Sequence, residues 1–319
     1  MQPESARPLR VLTWHVHGNY LYYLTRSAHR FWVVTDAARS PGYAGLGGRL
    51  PWGERVQEAP LERLHAMQFD CVLTQCQRNY EIDRMTQLSD AQRRLPHIHL
   101  EHDPPQEHPT NTRHFVQERS TLLVHCTHFN ALMWDSGITP TRVIEHGVQL
   151  PKPAHYSGHR ARGIAVVNHL TQRGRRLGAD VFESVRAQVP LDLVGMASHD
   201  AGGLGEIAND ELANTMAAYR FFFNPIRYTS LGLSVIEAMM VGLPIIGLAT
   251  TEMVTVVRNG VNGFVETNVA ALVEHMRRLL ADPAQARSLG EAARRAAQER
   301  FNIGRFAADW DAAFREVAG

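Results

Sequence analysis

The sequence predicts an α/β protein with two doubly wound parallel sheets, and three observations carry this prediction. Short apolar strands alternate with helical segments along most of the chain, which is the pattern of a parallel sheet. A chain of 319 residues suggests two domains of ordinary size. The alternation pauses once, at 148–162, where Pro151, Pro153 and Gly158 predict a linker. We therefore expect one Rossmann-like domain at 1–150 and another at 151–302, facing each other across a cleft.

The first half supplies six predicted strands with helices between them. The strands lie at 10–16, 31–36, 69–75, 98–102, 121–127 and 142–147. A helical stretch follows the first strand, a polar helix is predicted from about Tyr80 to Arg94, and a shorter one at 130–135. The segment 37–59 is rich in Gly and Pro and is predicted to be a loop.

The second half repeats the alternation without repeating the sequence. Its strands are predicted at 163–169, 191–195, 220–225, 244–250 and 263–266. Its helices are predicted at 179–188 and 210–219, near Ser234, and at 269–280 and 284–300. An amphipathic segment at 306–317 follows, with Phe306, Trp310 and Phe314 on one face.

Composition narrows the class of protein. Lys+Arg 33 against Asp+Glu 32 gives a net charge of +1, which lacks the basic excess of nucleic-acid-binding proteins. Three cysteines without a CxxC pair favour a reduced, cytosolic chain. No apolar run approaches about 18 residues, and the first strand is not preceded by a signal-peptide core. We therefore expect a cytoplasmic protein.

The loops after the strands are where a ligand is expected, because open α/β sheets bind ligands at the carboxyl ends of their strands. These loops carry His17-Gly18-Asn19, 102–104, 169–176 and 224–232. The last one leads through Gly232 into a helix, whose free N–H groups and positive dipole end suit an anion.

Glu237 is a carboxylate in an otherwise apolar helix, and two explanations are open. In a capping box, Ser234 would cap the helix and Glu237 would reach back to the Ser234 N–H. Alternatively, Glu237 contacts a neutral hydroxyl of a ligand, such as a ribose diol. A carboxylate there would repel a phosphate placed directly on it.

The stretch "LGLSVIEAMMVGLPIIG" followed by "TTEMVTVVRNGVNGFV" resembles the donor-binding half of family 4 glycosyltransferases, which have the GT-B fold. "NHLTQRGRRLG", "IEHGV" and "PHIHLEH" resemble weaker elements of that family. The resemblance implies a retaining glycosyltransferase that uses a nucleotide-diphosphate sugar, in bacterial-type polysaccharide, glycolipid or cell-envelope glycan synthesis. It also implies that the last helix, at 303–319, crosses back to pack on the first domain.

The resemblance assigns roles to residues of the second domain. Glu237 would bind the ribose hydroxyls of the nucleotide. Gly232, Leu233 and Ser234 would meet the diphosphate with backbone N–H groups, and Arg173 would neutralise it. His169 stands where the family has an Arg, so Arg175 or Arg176 is a candidate substitute.

One position departs from the family. Thr229 lies eight residues before Glu237, where the family has a Glu that contacts the donor sugar. A hydroxyl can hydrogen-bond a sugar but supplies no charge. A different sugar, a substitute carboxylate and lost activity all remain open.

The first domain carries further candidates. His102 matches a family His that contacts the donor sugar near the reacting centre. Asp103 could orient that ring or act on the acceptor, unless the two residues only stabilise their own turn. Gly18 and Asn19 match the first turn, which in the family lies near the diphosphate and the acceptor.

No metal or other cofactor is expected. The pairs His97/His99 and His125/His128 have metal-like spacing, but we expect them to be satisfied by backbone groups. In the family, the helix dipole and basic side chains carry the diphosphate charge.

The expected partners are the nucleotide-sugar and a glycan, lipid-linked or small-molecule acceptor, with weak contact to the inner face of a membrane left open. Two other functions stay open, a nucleotide-sugar 2-epimerase and a non-catalytic nucleotide-sugar-binding scaffold or partner subunit.

Overall fold

The computed structural model describes residues 7–16, 18–47 and 50–319. The chain forms two compact units. The first unit comprises Met1–Gly147 and Ile303–Gly319, and the second comprises Val148–Asn302. The second unit thus begins at the start of the predicted linker.

The first unit is built on a seven-stranded parallel sheet with the order β3-β2-β1-β4-β5-β6-β7. The strands are β1 (Arg10–Thr13), β2 (Arg30–Thr35), β3 (Val56–Pro60), β4 (Cys71–Thr74), β5 (His97–Glu101), β6 (Thr121–His125) and β7 (Thr141–Val143). The helices are α1 (Gly18–Leu24), α2 (Arg84–Gln87), α3 (Asp90–Arg93) and α4 (His128–Met133). The strand order reverses between β1 and β4.

The second unit is built on a five-stranded parallel sheet with the order β12-β11-β10-β8-β9. The strands are β8 (Arg160–Val166), β9 (Leu191–Val194), β10 (Tyr219–Asn224), β11 (Ile245–Leu248) and β12 (Gly263–Glu266). The helices are α5 (Leu170–Arg173), α6 (Ala179–Arg186), α7 (Asn209–Ala217), α8 (Leu233–Val241), α9 (Met253–Val256), α10 (Val269–Ala281) and α11 (Pro283–Arg300). The strand order reverses between β8 and β10.

These strands form because their apolar runs are buried on both faces, as parallel sheets with helices on each side require. Every residue of β4, β6, β10 and β11 is buried. The prediction of an α/β fold with two parallel sheets is confirmed.

Two local predictions are wrong. The predicted loop 37–59 ends in β3, which pairs in parallel with β2 and is poor in β-branched residues. The predicted continuous helix from Tyr80 to Arg94 is broken. A π-helical turn at Asn79–Asp83 leads into α2, and Ser89 then starts α3 with a capping box to Gln92.

The last helix, α12 (Ile303–Ala318), belongs to the first unit, as predicted. Its buried face presents Phe306, Trp310 and Phe314. The Trp310 indole donates to the Tyr20 hydroxyl at 3.3 Å, and the Phe314 ring lies edge-on to Phe31. A Cβ at Gly147 would meet Phe306 at 2.2 Å, so only glycine permits this close approach.

Among the residues that the structure describes, none of the helices combines the length and the apolar character needed to cross a bilayer.

Candidate functional site

The second unit places its candidate residues where its strand order reverses. The segments after β8 and β10 leave the sheet at its carboxyl edge. These two strands are neighbours, but the chain continues from β8 to β9 on one side of the pair and from β10 to β11 on the other side. This is the crevice at which open α/β sheets bind ligands. His169 and Arg173 follow β8, and Thr229, Gly232 and Glu237 follow β10.

The helix after β10 has a glycine as its N-cap residue. Gly232 is its N-cap, with φ −66° and ψ 135°, a conformation open to any residue. A Cβ at Gly232 would come no closer than 3.6 Å, to the Ser234 hydroxyl. Neither backbone strain nor crowding from the described residues therefore requires glycine here, which leaves room for a ligand beside the first N–H groups of α8.

The capping-box explanation of Glu237 is wrong. The helix begins at Leu233, so Ser234 lies inside the first turn, and the N-cap residue, Gly232, has no side chain with which to cap the helix. The Ser234 hydroxyl instead donates to the Val166 carbonyl at 3.3 Å, which ties the start of α8 to the end of β8. Glu237 is 5% exposed, on a helix whose other buried residues are all apolar.

An ion-pair cluster joins the two loops of this crevice. The Asp180 carboxylate receives both terminal nitrogens of Arg227, at 2.5 and 2.8 Å, and Arg175 Nη1 at 2.6 Å. The Arg176 carbonyl accepts the backbone N–H groups of Arg227 and Tyr228. The hydrogen bond from Arg227 lowers the pKa of Asp180. Loop 225–232 is thereby held against the segment 173–180.

The side chains proposed to neutralise the diphosphate differ in their exposure and in the bonds that they make. Arg175 is paired with Asp180, which weakens its candidacy as the substitute cation. Arg173 is exposed at the end of α5, and Arg176 is half-buried. His169 adopts a left-handed conformation with φ 55°, and its Nδ1 lies 3.0 Å from Gln172 Oε1.

In the first unit, His102 follows β5 and is held from several sides. Its carbonyl accepts the Cys126 thiol at 3.2 Å and the Asn130 amide at 3.1 Å. Its ring packs edge-on against Tyr20, with centroids 4.9 Å apart. Its Nε2 lies 3.3 Å from Gln75 Oε1.

Gln75 sets the tautomer of His102. The Gln75 amide nitrogen donates to the Trp14 carbonyl at 2.8 Å and to the Thr13 hydroxyl at 3.0 Å. Because the Trp14 carbonyl can only accept, the amide oxygen must face His102. The neutral His102 ring therefore carries its proton on Nε2 and its lone pair on Nδ1. Sequence analysis did not identify Gln75 as a functional residue, because it lies at the end of a predicted strand like any other strand residue.

The remaining candidates of the first unit lie nearby in the fold. Asp103 directly follows His102, and its carbonyl accepts the Trp134 indole N–H at 2.9 Å. Gly18 and Asn19 begin α1, after β1, and a Cβ at Gly18 would meet His15 Nε2 at 2.9 Å. His17 lies outside the described residues.

The histidine pairs are bonded differently from our expectation. His97 Nε2 and His99 Nδ1 both meet the Thr74 hydroxyl, at 2.9 and 2.8 Å, rather than backbone groups. Arg84 donates to His97 Nδ1 at 3.0 Å. His97 Nε2 therefore donates to the Thr74 hydroxyl. His128 is exposed, and His125 is buried.

A possible metal cluster does form within the described residues, from His99, Glu101 and His114, whose ligand atoms lie within 4.8 Å of one another. The Val116 N–H donates to His114 Nδ1 at 3.0 Å, so the neutral ring holds its proton on Nε2 and donates it to Glu101. Because a metal needs lone pairs, this hydrogen bonding disfavours a metal there.

Comparison with known proteins finds a family model similar to part of the chain and solved structures with a similar fold. Residues 198–296 match the family described as "Glycosyl transferases group 1". This segment contains Thr229, Gly232–Ser234 and Glu237, and excludes His169, Arg173 and the whole first unit. A search of curated proteins finds no significant match.

Two solved structures match nearly the whole chain, and a third matches four fifths of it. Anabaena HepE, in complex with UDP and glucose, has 14% identity and a TM-score of 0.71, covering 97% of this chain and 100% of that one. Sucrose-phosphate synthase from Thermosynechococcus elongatus has 17% identity and a TM-score of 0.66, covering 98% and 99%. S. aureus TarM has 14% identity and a TM-score of 0.59, covering 80% and 58%. These similarities show that the chain has the GT-B glycosyltransferase fold.

Proposed function

We propose that this chain is a glycosyltransferase that moves a sugar from a nucleotide-diphosphate sugar to an acceptor hydroxyl. The observation that carries the proposal is the start of α8, where the N-cap is a glycine that the fold does not require. It lies at the strand-order reversal and inside the segment similar to glycosyl transferases group 1. The complex of HepE with UDP and glucose supports a nucleotide-sugar as the ligand class.

The diphosphate is assigned to the N–H groups of Leu233 and Ser234, where the helix dipole favours negative charge. Arg173, exposed on the facing segment, supplies the positive side chain. Together they would stabilise the charge that develops as the diphosphate leaves. Glu237 accepts hydrogen bonds from the ribose hydroxyls, a role that suits an acceptor-only group.

The acceptor is assigned to the first unit, where His102, Asp103, Gly18 and Asn19 are the candidate residues. We propose that the configuration of the sugar is retained. The acceptor would attack on the face that the diphosphate leaves, and the departing phosphate would take its proton. No metal or dedicated base is then needed. We also place the reaction in the cytoplasm, in polysaccharide, glycolipid or envelope-glycan synthesis.

A matched pair of variants tests the donor site. Glu237 and Glu252 are both buried carboxylates of the second unit, 5% and 2% exposed. The Glu252 carboxylate is bonded to Thr255 at 2.7 Å and Arg300 at 3.1 Å. In a thermal-shift screen with UDP-, GDP-, ADP- and dTDP-sugars, we expect at least one donor to stabilise the wild type.

Glu237→Gln should weaken that donor roughly 10- to 100-fold, the usual effect of losing a hydrogen bond to a charged group. Glu252→Gln should lower the melting temperature without changing donor affinity. Equal donor binding by wild type and Glu237→Gln would contradict the assignment.

A non-catalytic donor-binding protein is the second candidate, because Thr229 stands where the family has a sugar-contacting Glu. A donor that binds but is neither transferred nor hydrolysed would favour it. Thr229→Glu should change the preferred sugar in a donor panel if this position contacts the sugar. An unchanged preference would remove Thr229 from the sugar site.

A further inference from the structure

The loop between β10 and α8, residues 225–232, is docked on the segment 174–180 of the same unit. The Arg176 carbonyl accepts two backbone N–H groups of the loop, from Arg227 at 3.0 Å and from Tyr228 at 3.2 Å. The two segments are therefore joined through the backbone at the point where the loop approaches the start of α8.

The first residues of the loop are enclosed on two sides. Gly178 has φ +79°, and a Cβ there would meet the Pro225 carbonyl oxygen at 1.9 Å, so only glycine permits this close approach. From another side, the Thr250 hydroxyl donates to the Ile226 carbonyl at 3.0 Å. The start of the loop is thus fixed by packing and by hydrogen bonds to its backbone.

The Arg227 side chain adds three hydrogen bonds to this contact. Its two terminal nitrogens donate to the two oxygens of the Asp180 carboxylate, at 2.5 and 2.8 Å. Its Nη1 also donates to the Arg175 carbonyl at 2.8 Å. A guanidinium matches a carboxylate in this bidentate arrangement, which a lysine cannot reproduce. The side chain therefore fixes the loop in a defined direction at Arg227.

The ion pair contributes little to the stability of the whole unit, because it is partly exposed. The side chains of Arg227 and Asp180 are 31% and 40% exposed, and water screens the attraction between charges of this kind. Its effect is therefore local, on the residues that follow Arg227. Thr229 lies two residues further along the chain, and Gly232, the N-cap of α8, lies five residues further.

We propose that Arg227 is a positioning residue of the donor site. Through its bonds to Asp180 it holds loop 225–232 in the conformation that presents the first N–H groups of α8 to a nucleoside diphosphate. It acts without contacting the diphosphate, because its guanidinium already makes three hydrogen bonds within the protein. The inference rests on the proposed function, which supplies the class of ligand.

Binding of UDP, GDP, ADP and dTDP to the full chain, measured by isothermal titration calorimetry, tests the proposal. Arg227→Gln removes the bidentate bonds and a positive charge, whereas Arg227→Lys keeps the charge and removes only the bidentate geometry. Each variant should weaken the nucleotide that the wild type binds by at least about threefold, within the range for residues that act without touching the ligand. Full affinity in both variants overturns the proposal.

Asp180→Asn separates positioning from a direct effect of charge. If Arg227 attracted the diphosphate through its charge, loss of the neighbouring carboxylate would tighten nucleotide binding. If Arg227 acts by positioning, Asp180→Asn should weaken binding about as much as Arg227→Gln does, and the double variant should be no weaker than either single variant. Tighter or unchanged binding by Asp180→Asn overturns the proposal, and so do additive losses in the double variant.

A second Arg–Asp pair of the same unit provides the control. Arg162 donates to both oxygens of Asp192, at 3.1 and 2.6 Å, near the amino ends of β8 and β9, and this pair is also partly exposed. Arg162→Gln should change the melting temperature about as much as Arg227→Gln and leave nucleotide affinity unchanged. An equal loss of affinity in both variants would make it a general effect of breaking an ion pair in this unit, and the proposal would fail.

The wild type distinguishes this proposal from the proposed function. If it binds none of the four nucleotides, the assignment of the donor site fails, and the positioning role fails with it. If it binds one of them and the variants of Arg227 and Asp180 bind that nucleotide equally well, the proposed function stands and only the positioning role is overturned.

Discussion

Among the described residues, the first unit buries six histidines, His29, His97, His99, His114, His125 and His146. In the second unit the described histidines are all half-buried or exposed. The buried acidic and basic side chains there are Arg220, Glu237 and Glu252. The two sheets are both parallel, yet their interiors hold different chemistry. The first unit therefore buries imidazole rings, and the second unit does not bury any among its described residues.

This difference gives the units different responses to acid. Burial lowers the pKa of His97 and of His125 to about 3, and that of His99 well below its ordinary value. In the second unit, Arg220 donates to the carbonyls of Leu279 and Leu280, in the last turn of α10. These carbonyls stabilise its positive charge.

The units can also be observed separately. All five tryptophans, Trp14, Trp32, Trp52, Trp134 and Trp310, belong to the first unit. Tryptophan fluorescence therefore reports the unfolding of the first unit, whereas far-UV circular dichroism reports both.

The largest expected effect tests whether the units unfold independently. Trp310→Ala should destabilise the first unit by about 3–5 kcal/mol, the usual cost of removing a fully buried aromatic side chain. Guanidinium unfolding followed by fluorescence should move to lower denaturant. Phe182→Ala is the matched variant, a fully buried aromatic side chain of the second unit.

Phe182→Ala should shift part of the circular dichroism transition and leave the fluorescence transition in place. If both variants shift both signals equally, the units unfold as one cooperative block and the comparison fails.

Acid is the next test. Between pH about 6.5 and about 3, the unfolded chain takes up protons that His97 and His125 do not accept in the folded unit, so the stability of the first unit falls as the pH falls. His125→Leu should reduce this slope by about 1.4 kcal/mol per pH unit, the contribution of one proton. Fluorescence-detected unfolding at several pH values measures it, with exposed His128→Leu as the control.

An unchanged slope in His125→Leu would mean that His125 is protonated in the folded unit. A fluorescence transition that is no more acid-sensitive than the rest of the chain would remove the contrast between the units.

A smaller effect is expected at Gln75. Gln75→Met and Gln92→Met each remove a buried amide with two donor bonds, from Gln75 to Trp14 and Thr13 and from Gln92 to the Leu64 and Met67 carbonyls. Each should cost about 1–3 kcal/mol of stability. Only Gln75→Met should shift His102 away from the Nε2–H tautomer, as measured by ¹⁵N NMR of the imidazole, and lower transfer activity.

If Gln92→Met perturbs the His102 signals as much as Gln75→Met does, the effect on His102 is general loosening of the first unit. If neither variant perturbs them, Gln75 does not set the tautomer.

The smallest change in stability is expected at Gly232. Its φ of −66° suits alanine, so Gly232→Ala should change the free energy of unfolding by less than about 0.5 kcal/mol. Nucleotide affinity should nevertheless fall, because the added methyl lies over the first N–H groups of α8. Gly53→Ala in the first unit, where a Cβ would meet none of the described residues within 4 Å, should change neither. Undiminished nucleotide affinity in Gly232→Ala would show that no ligand approaches this glycine.

The fold was predictable because the chain marks its strands with buried apolar runs and its turns with Gly and Pro. The prediction failed at β3, where "VQEAP" follows a Gly- and Pro-rich stretch and pairs only with β2. A strand with so little apolar character is recognisable only through its partner.

The candidate site was predictable only in part, for a related reason. The apolar pattern around Glu237 and the position of Gly232 are local, so the sequence shows them. The role of Gln75 depends on β1, β4 and β5 ending side by side, which brings together Trp14, Gln75 and His102. No spacing along the chain predicts that these three residues lie together. The same holds for Arg227 and Asp180, 47 residues apart.

The return of α12 to the first unit has a consequence for synthesis on the ribosome. Residues 148–302 form a contiguous unit and leave the ribosome complete before Ile303 appears. The first unit, although translated earlier, must wait for Phe306, Trp310 and Phe314 before its core closes. The usual order of domain folding, from the N-terminus onward, is therefore reversed for completion of this chain. A nascent chain stalled before residue 303 would expose the surface of Tyr20 and Phe31 that α12 covers, and chaperones that hold apolar surface would find it there.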